Sequence, residues 1–180
     1  AIILGLLLVA ALAPLLATHG PYAQVLGDRL RAPSAAYLFG TDGLGRDIFS
    51  RVVHGARVTL TIALLVAAIS TPLGMLIGIV AGYLGGMVDE IMMRLADVFL
   101  AFPRLILAIA FAAALGPGVE NAILAIAIAQ WPSYARLARA ETLNVKNNDY
   151  IQAMRVLGAG KLTIMAGHIL PLTLSSIIVR

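Results

Sequence analysis

The chain has 180 residues, 61% of them hydrophobic and 12% charged, with a mean hydropathy of +0.95 and a formal net charge of +4. That balance excludes an ordinary water-soluble domain and makes the lipid bilayer the solvent to reason with. There is no cysteine, hence no disulfide framework or thiolate chemistry, and the basic residues flank apolar runs, where membrane anchoring rather than nucleic-acid binding accounts for them.

Residues 1–17 are apolar and predict a first transmembrane helix, although Ala11, Leu12 and Ala13 also have the small-residue spacing of a signal-peptide cleavage site. The chain opens at Ala1 without a Met and closes at Arg180 inside an apolar run, so a fragment of a longer protein is expected. The polar stretch 18–57 contains a glycine-rich turn, Phe39 to Asp47, followed by helical periodicity. Ile48, Phe49, Val52, Val53 and Ala56 fall on one face, with Arg46, Asp47, Arg51 and His54 on the rest. This pattern predicts an interfacial helix feeding the next span. Gly43 and Gly45 do not make a dinucleotide site, because the third glycine and a preceding strand are missing.

Residues 58–88 carry no charge. As helix they would measure about 46 Å, more than the roughly 30 Å hydrocarbon core needs, so a span over 58–81 and a turn at 82–86 are expected. Pro72 should kink this span, with the hydroxyls of Ser70 and Thr71 available to freed carbonyls. Gly74, Gly78, Gly82 and Gly86 recur every four residues and form one stripe, which favours close packing on another helix over mere glycine abundance.

A third span over 92–115 and a fourth over 119–137 follow, separated by Gly116, Pro117 and Gly118. Asp97 and Arg104 lie two turns apart on nearly one face, too far to pair, so each needs its own partner or water. Asp97 reads as solvated near the membrane surface, whereas Arg104, just after Pro103, is open between a functional and a structural role. Trp131, Pro132 and Tyr134 are expected as headgroup-layer anchors.

Arg136, Arg139, Lys146, Arg155 and Lys161 cluster after the fourth span, against only Glu141 and Asp149, and positive-inside reasoning places the loop 141–171 in the cytoplasm. The five arginines of 18–57, on the opposite side by alternation, pull against this assignment. Asn148 or Asp149 can cap a helix over 150–157, and Gly158 can end it. A second short helix over 161–168 and a fifth span opened by Pro171 complete a helix, hinge and helix. Ile151, Met154, Val156 and Leu157 are its apolar contacts for a groove on a soluble partner.

Gln152, Ala153 and Met154, then Gly158, then His168 to Pro171 match the spacing of the EAA loop of binding-protein-dependent ABC importer permeases. With Phe39 to Asp47 and Ala101, Phe102 and Pro103, the chain from about residue 37 resembles the C-type permease subunit of dipeptide, oligopeptide and nickel importers. The resemblance implies an all-α, polytopic membrane helix bundle of the ABC type I importer fold, here about five of six helices, in the bacterial cytoplasmic (inner) membrane. Residues 1–17 would be the first helix, 18–57 an extracytoplasmic loop and interfacial helix, and 58–180 the transmembrane domain, its fifth helix beginning at 172–180.

The implied partners are a homologous B-type permease, two cytosolic ABC ATPases and an extracytoplasmic solute-binding protein. The chain itself would hold no cofactor and catalyse nothing, ATP and Mg being bound by the ATPases, and it carries no phosphate-binding loop motif. The resemblance makes Ile151, Gln152, Ala153, Met154, Leu157, Gly158, Ala159, Leu170 and Pro171 the ATPase-coupling loop. Gly40, Thr41, Asp42, Gly45, Arg46 and Asp47 become an extracytoplasmic motif. Two departures matter: the motif's glutamate is Gln152, removing an ionic contact, and its second alanine is Met154. The cargo that the resemblance implies is a di- or oligopeptide, or alternatively nickel or a metal chelate. An ATP-independent channel or secondary transporter would call for inverted repeats, and none is found.

Overall fold

The computed structural model describes the backbone of residues 2–179, and side chains from residue 5 to residue 177. Ala1 and Arg180, the ends of the expected first and fifth helices, lie outside the described residues. The chain divides into two compact units, residues 1–64 and 65–180. The described residues are helical without a strand; one isolated antiparallel bridge joins Thr41 and Asp47.

The first unit holds α1 (Ile2–Ala11), α2 (Ala13–Leu16), a 3-10 turn at Leu26–Asp28 and the start of α3 (Ile48–Leu84). Between them the chain runs as an ordered loop. Gly40 and Gly45 take φ of +75° and +73°, and at both a Cβ would strike backbone, of Arg31 and of Val25. Only glycine fits these two turns.

The expected interfacial helix and second span are one element, because α3 runs unbroken over 37 residues from Ile48 to Leu84. The apolar face expected for its first turns is only partly realised: Val53 is buried, but Val52 is exposed. Helix continues through Pro72, and the expected turn at 82–86 shrinks to Gly85, at φ +68°. Ser70 donates to the Val66 carbonyl at 2.8 Å, not to the Ala68 carbonyl that Pro72 leaves without its usual donor.

In the second unit the third span is not one helix. α4 (Gly86–Ala101) and α5 (Arg104–Leu115) meet at 92°. The cause is local: Pro103 has no N–H, and the residue before a proline is driven out of the helical region, so Phe102 is extended at φ −91° and ψ 142°. Asp97 and Arg104 therefore do not share a helix face. After the turn at Gly116 and Gly118, closed by the Asn121 side-chain amide donating to the Leu115 carbonyl at 2.9 Å, α6 (Val119–Val145) extends eight residues past the expected end at 137.

α6 is the central helix of this unit. Its buried positions are mostly small, among them Ala125, Ala127, Ala129, Ala135 and Ala138. In lipid no hydrophobic force draws helices together, so close approach of small side chains supplies the packing. A Cβ on Gly74 would stand 2.5 Å from the Tyr134 Cβ, on Gly78 2.7 Å from the Ala138 Cβ, and on Gly82 2.9 Å from the Thr142 Cβ. Three of the four expected glycines thus form the packing stripe. Gly86 does not: at φ +56°, with nothing within 4 Å, it opens α4.

Trp131, expected in the headgroup layer, is buried to 5% exposure against Ala96 and Ala135, with Phe99 edge-on at 5.4 Å. Pro132 is buried too, and Tyr134 packs beside Gly74. Trp131 and Pro132 are core, with Phe99 of α4 packed on the Trp131 ring, and Tyr134 is partly buried.

Among the described residues one helix, Ile48–Leu84, is long and apolar enough to cross a membrane; α4 and α5 meet the same measure only as a pair bent by 92°, the form of a broken span or of a re-entrant loop. α6 falls short because Glu120, Gln130 and Arg136 interrupt its apolar run.

Candidate functional site

The hairpin after α6 is built from α7 (Asp149–Val156), α8 (Lys161–Ile164), a π-helical turn (Met165–Ile169) and α9 (Leu170–Val179). Asn148 takes the N-cap position with extended backbone, and its carbonyl accepts from the N–H of Ile151 at 2.9 Å; its side chain makes no cap bond. Gly158, at φ +84°, ends α7: its N–H donates to the Arg155 carbonyl and the Ala159 N–H to the Met154 carbonyl, both at 3.0 Å. This is the double-bonded glycine cap, with Met154 and Ala159 both packed on one apolar cluster. The expected second helix does not stop before a fifth span. It runs as helix from Lys161 to Val179, and Pro171 sits inside, just past the π turn.

The hairpin is rooted in the second unit's core. Ile151, Ile164 and Ile169 are fully buried with Met75, Ile79 and Tyr83 of α3 and Ala138 of α6. Leu170 and Met154 pack on this cluster. Ile151 is therefore an inner residue and Met154 is half-buried against the same cluster, because α7 turns that face toward α3. Val156, Leu157 and Leu162 point outward, 88%, 82% and 77% exposed. Gln152, Ala153, Gly158 and Pro171 are also exposed. Gln152 donates only a long bond, 3.4 Å, to the Lys146 carbonyl.

Polar ties fix the hairpin's base. Arg139 grips Asp89 with a two-pronged contact at 2.5 and 2.6 Å, and Lys146 donates to the Gly82 carbonyl at 2.8 Å. The Arg155 guanidinium lies 5.1 Å from the Tyr83 ring centre. Tyr150 and His168 hydrogen-bond, linking α7 to the π turn. Arg139, Lys146 and Arg155 were legible only as a basic cluster that orients the loop; their partners on α3 and α4 lie far away in sequence. Asp97, expected to be solvated, pairs with Arg136 while both stay more than half exposed.

In the first unit the glycine-rich loop is organised by two carboxylates. Asp42 accepts from the N–H groups of Leu44 (2.9 Å) and Arg46 (3.0 Å), and from the Arg46 and Arg51 guanidinium groups, both at 2.7 Å. Burial opposes its ionisation, but these donors outweigh it and bring its pKa from 3.8 to about 2. Asp47 is buried and starts α3, accepting from the Ser50 N–H at 3.0 Å and the Thr18 hydroxyl at 2.9 Å. Burial again works against it, and the Ser50 and Thr18 donors leave its pKa below the ordinary value. Thr41 is buried beneath, donating to the Asp28 carbonyl. The candidate residues of this loop thus form one hydrogen-bonded knot.

Apolar helices packed through glycine and alanine, with a capped polar hairpin rooted among them, define an integral membrane protein of the helical-bundle class. The chain belongs to the family of binding-protein-dependent transport system inner membrane components, which matches residues 74–180. It is 46% identical over 179 residues to the probable D,D-dipeptide transport system permease protein DdpC of Escherichia coli (strain K12), covering 99% of this chain and 60% of that protein. It is 41% identical to the dipeptide transport system permease protein DppC of Alkalihalophilus pseudofirmus, over 99% of this chain and 59% of the relative. It is 44% identical to the glutathione transport system permease protein GsiD of Pectobacterium atrosepticum, over 84% and 51%. The chain spans about 60% of the first of these relatives and less of the others.

Proposed function

We propose that this chain is part of the permease subunit of an ATP-driven importer that moves di- or oligopeptides across the inner membrane. The relatives named for dipeptide and glutathione transport support the cargo class. The observation that carries the mechanism is the hairpin: its inner face is fixed in the core by Ile151, Ile164 and Ile169, while Val156, Leu157 and Leu162 stand in the open. A rigidly rooted element with an apolar tip suits docking on a soluble ATPase. Closure of two ATPases around ATP and Mg would then bias the helices between two states, with no chemical step in this chain. Docking rests on packing, since Gln152 brings no carboxylate to the contact.

A homologous B-type permease and an extracytoplasmic solute-binding protein complete the assembly, with residues 18–47 on the solute-binding side. Nickel or a metal chelate is the second cargo reading, and uptake of a labelled dipeptide measured beside nickel uptake separates them.

Affinity purification of the full-length subunit from mild detergent, with an ATPase assay, tests the assembly. A second permease and two ATPases should co-purify. Val156→Glu with Leu157→Glu should release the ATPases while the subunit still inserts and folds, because neither side chain is part of the core. Gly158→Pro should uncouple uptake from ATP hydrolysis, as proline cannot adopt φ +84°. Recovery of the subunit alone, with uptake persisting in ATP-depleted vesicles, would sink this reading.

A further inference from the structure

Arg104 is the first residue of α5, directly after the break at Pro103, and it is exposed. The 12 residues of α5 put about 18 Å between it and the Gly116–Gly118 turn, so a turn at one membrane face would leave it near the middle of a roughly 30 Å hydrocarbon core. A guanidinium at that depth needs a partner or a water-filled space. The other arginines of α4 and α6 have carboxylates: Arg94 meets Glu90, Arg136 meets Asp97, and Arg139 meets Asp89. Among the described residues Arg104 meets none. Its one polar contact among those residues is to the Ser133 hydroxyl, at 3.2 Å.

Arg104, Gln130, Ser133, Tyr134, Leu137 and Ile177 line a cleft of about 290 Å³. Gln130, Ser133 and Tyr134 follow one side of α6, so the otherwise apolar bundle opens a polar strip opposite the guanidinium. Gln130 is one of the residues that keep α6 below the hydropathy of a simple span. Of the five N–H donors of Arg104, one is engaged by Ser133, and the others offer the two-pronged geometry that a carboxylate matches. The Ser133 and Tyr134 hydroxyls and the Gln130 amide supply further donors.

We propose that this cleft is a carboxylate-binding station on the permeation route, taking the free C-terminal carboxylate of a peptide in transit. The inference rests on the peptide-import reading above and adds the group recognised and the residues that recognise it.

The test is Ser133→Cys in the full-length subunit within its assembled importer in proteoliposomes, with and without Arg104→Gln, against the parent assembly as background. Thiol labelling by a sulfonate-bearing methanethiosulfonate is compared with labelling by a trimethylammonium-bearing one. Arg104 should favour the anionic reagent by about tenfold, and Arg104→Gln should abolish that preference while Arg104→Lys keeps most of it. Alanyl-alanine should slow labelling, and its C-terminal amide should not.

A charge-blind rate, or equal protection by acid and amide, overturns the station even if alanyl-alanine uptake is normal. An Arg104-dependent preference without protection by alanyl-alanine overturns the peptide assignment. Absence of dipeptide uptake by the parent assembly is the separate result that removes the import reading itself.

Discussion

Asp42 gathers two backbone amides and two guanidinium groups on one carboxylate, and so converts the glycine-rich loop into a fixed shape. Its pKa is lower folded than unfolded, so the stability it lends is fully present above 3.8 and is lost as pH falls through the folded value of about 2. Carboxyl-carbon NMR of the full-length protein in nanodiscs should show one aspartate titrating near 2. Asp42→Asn should remove that transition and loosen residues 40–47 already at neutral pH. The glycine spacing and the acidic and basic alternation of this loop were visible in the sequence. The knot was not, because its partners Asp28 and Arg31 are brought in by loop turns that no periodicity announces.

Helix contacts here are set by absence of side chain. α3 presents Gly74, Gly78 and Gly82 to α6, and the backbones come so close that a methyl group has no room. Gly78→Ala should destabilise the bundle by about 1–3 kcal/mol, as overpacking does in a well-filled core. Gly55→Ala, earlier on the same helix and with open space around it, should be neutral or slightly stabilising through helix propensity. Unfolding in mixed micelles measures both. The four-residue glycine period foretold this stripe, yet it also enrolled Gly86, whose positive φ belongs to a turn. The third span, in contrast, was expected as one helix over 92–115, and the extended Phe102 before Pro103 with the 92° bend divides that apolar run into two helices.

At the scale of the molecule, long-range polar pairs differ sharply in what they hold. Asp89 and Arg139 are 50 residues apart in the chain, at 18% and 34% side-chain exposure, and they tie the start of α4 to the end of α6. Asp97 and Arg136 are both more than half exposed. Asp97→Asn should therefore shift unfolding by about 0–1 kcal/mol, the range of surface pairs. Asp89→Asn should cost more, since it leaves Arg139 partly buried without its carboxylate. Reversal of that order in micelle unfolding would show that the α4 to α6 tie is not structural.

The sequence by itself determined the solvent, the helical class, the start of the hairpin's first helix and its glycine stop, and the family, since these depend on composition, on glycine stereochemistry, and on short-range spacing. Its orientation of individual side chains was less secure: Ile151 looked like a contact for a partner and serves the core, and Trp131 looked like an interface anchor and fills a helix crossing. Only the tertiary structure decided these, because an apolar side chain is equally suited to lipid, to a partner or to its own core. Which one it meets depends on the direction in which distant helices pack.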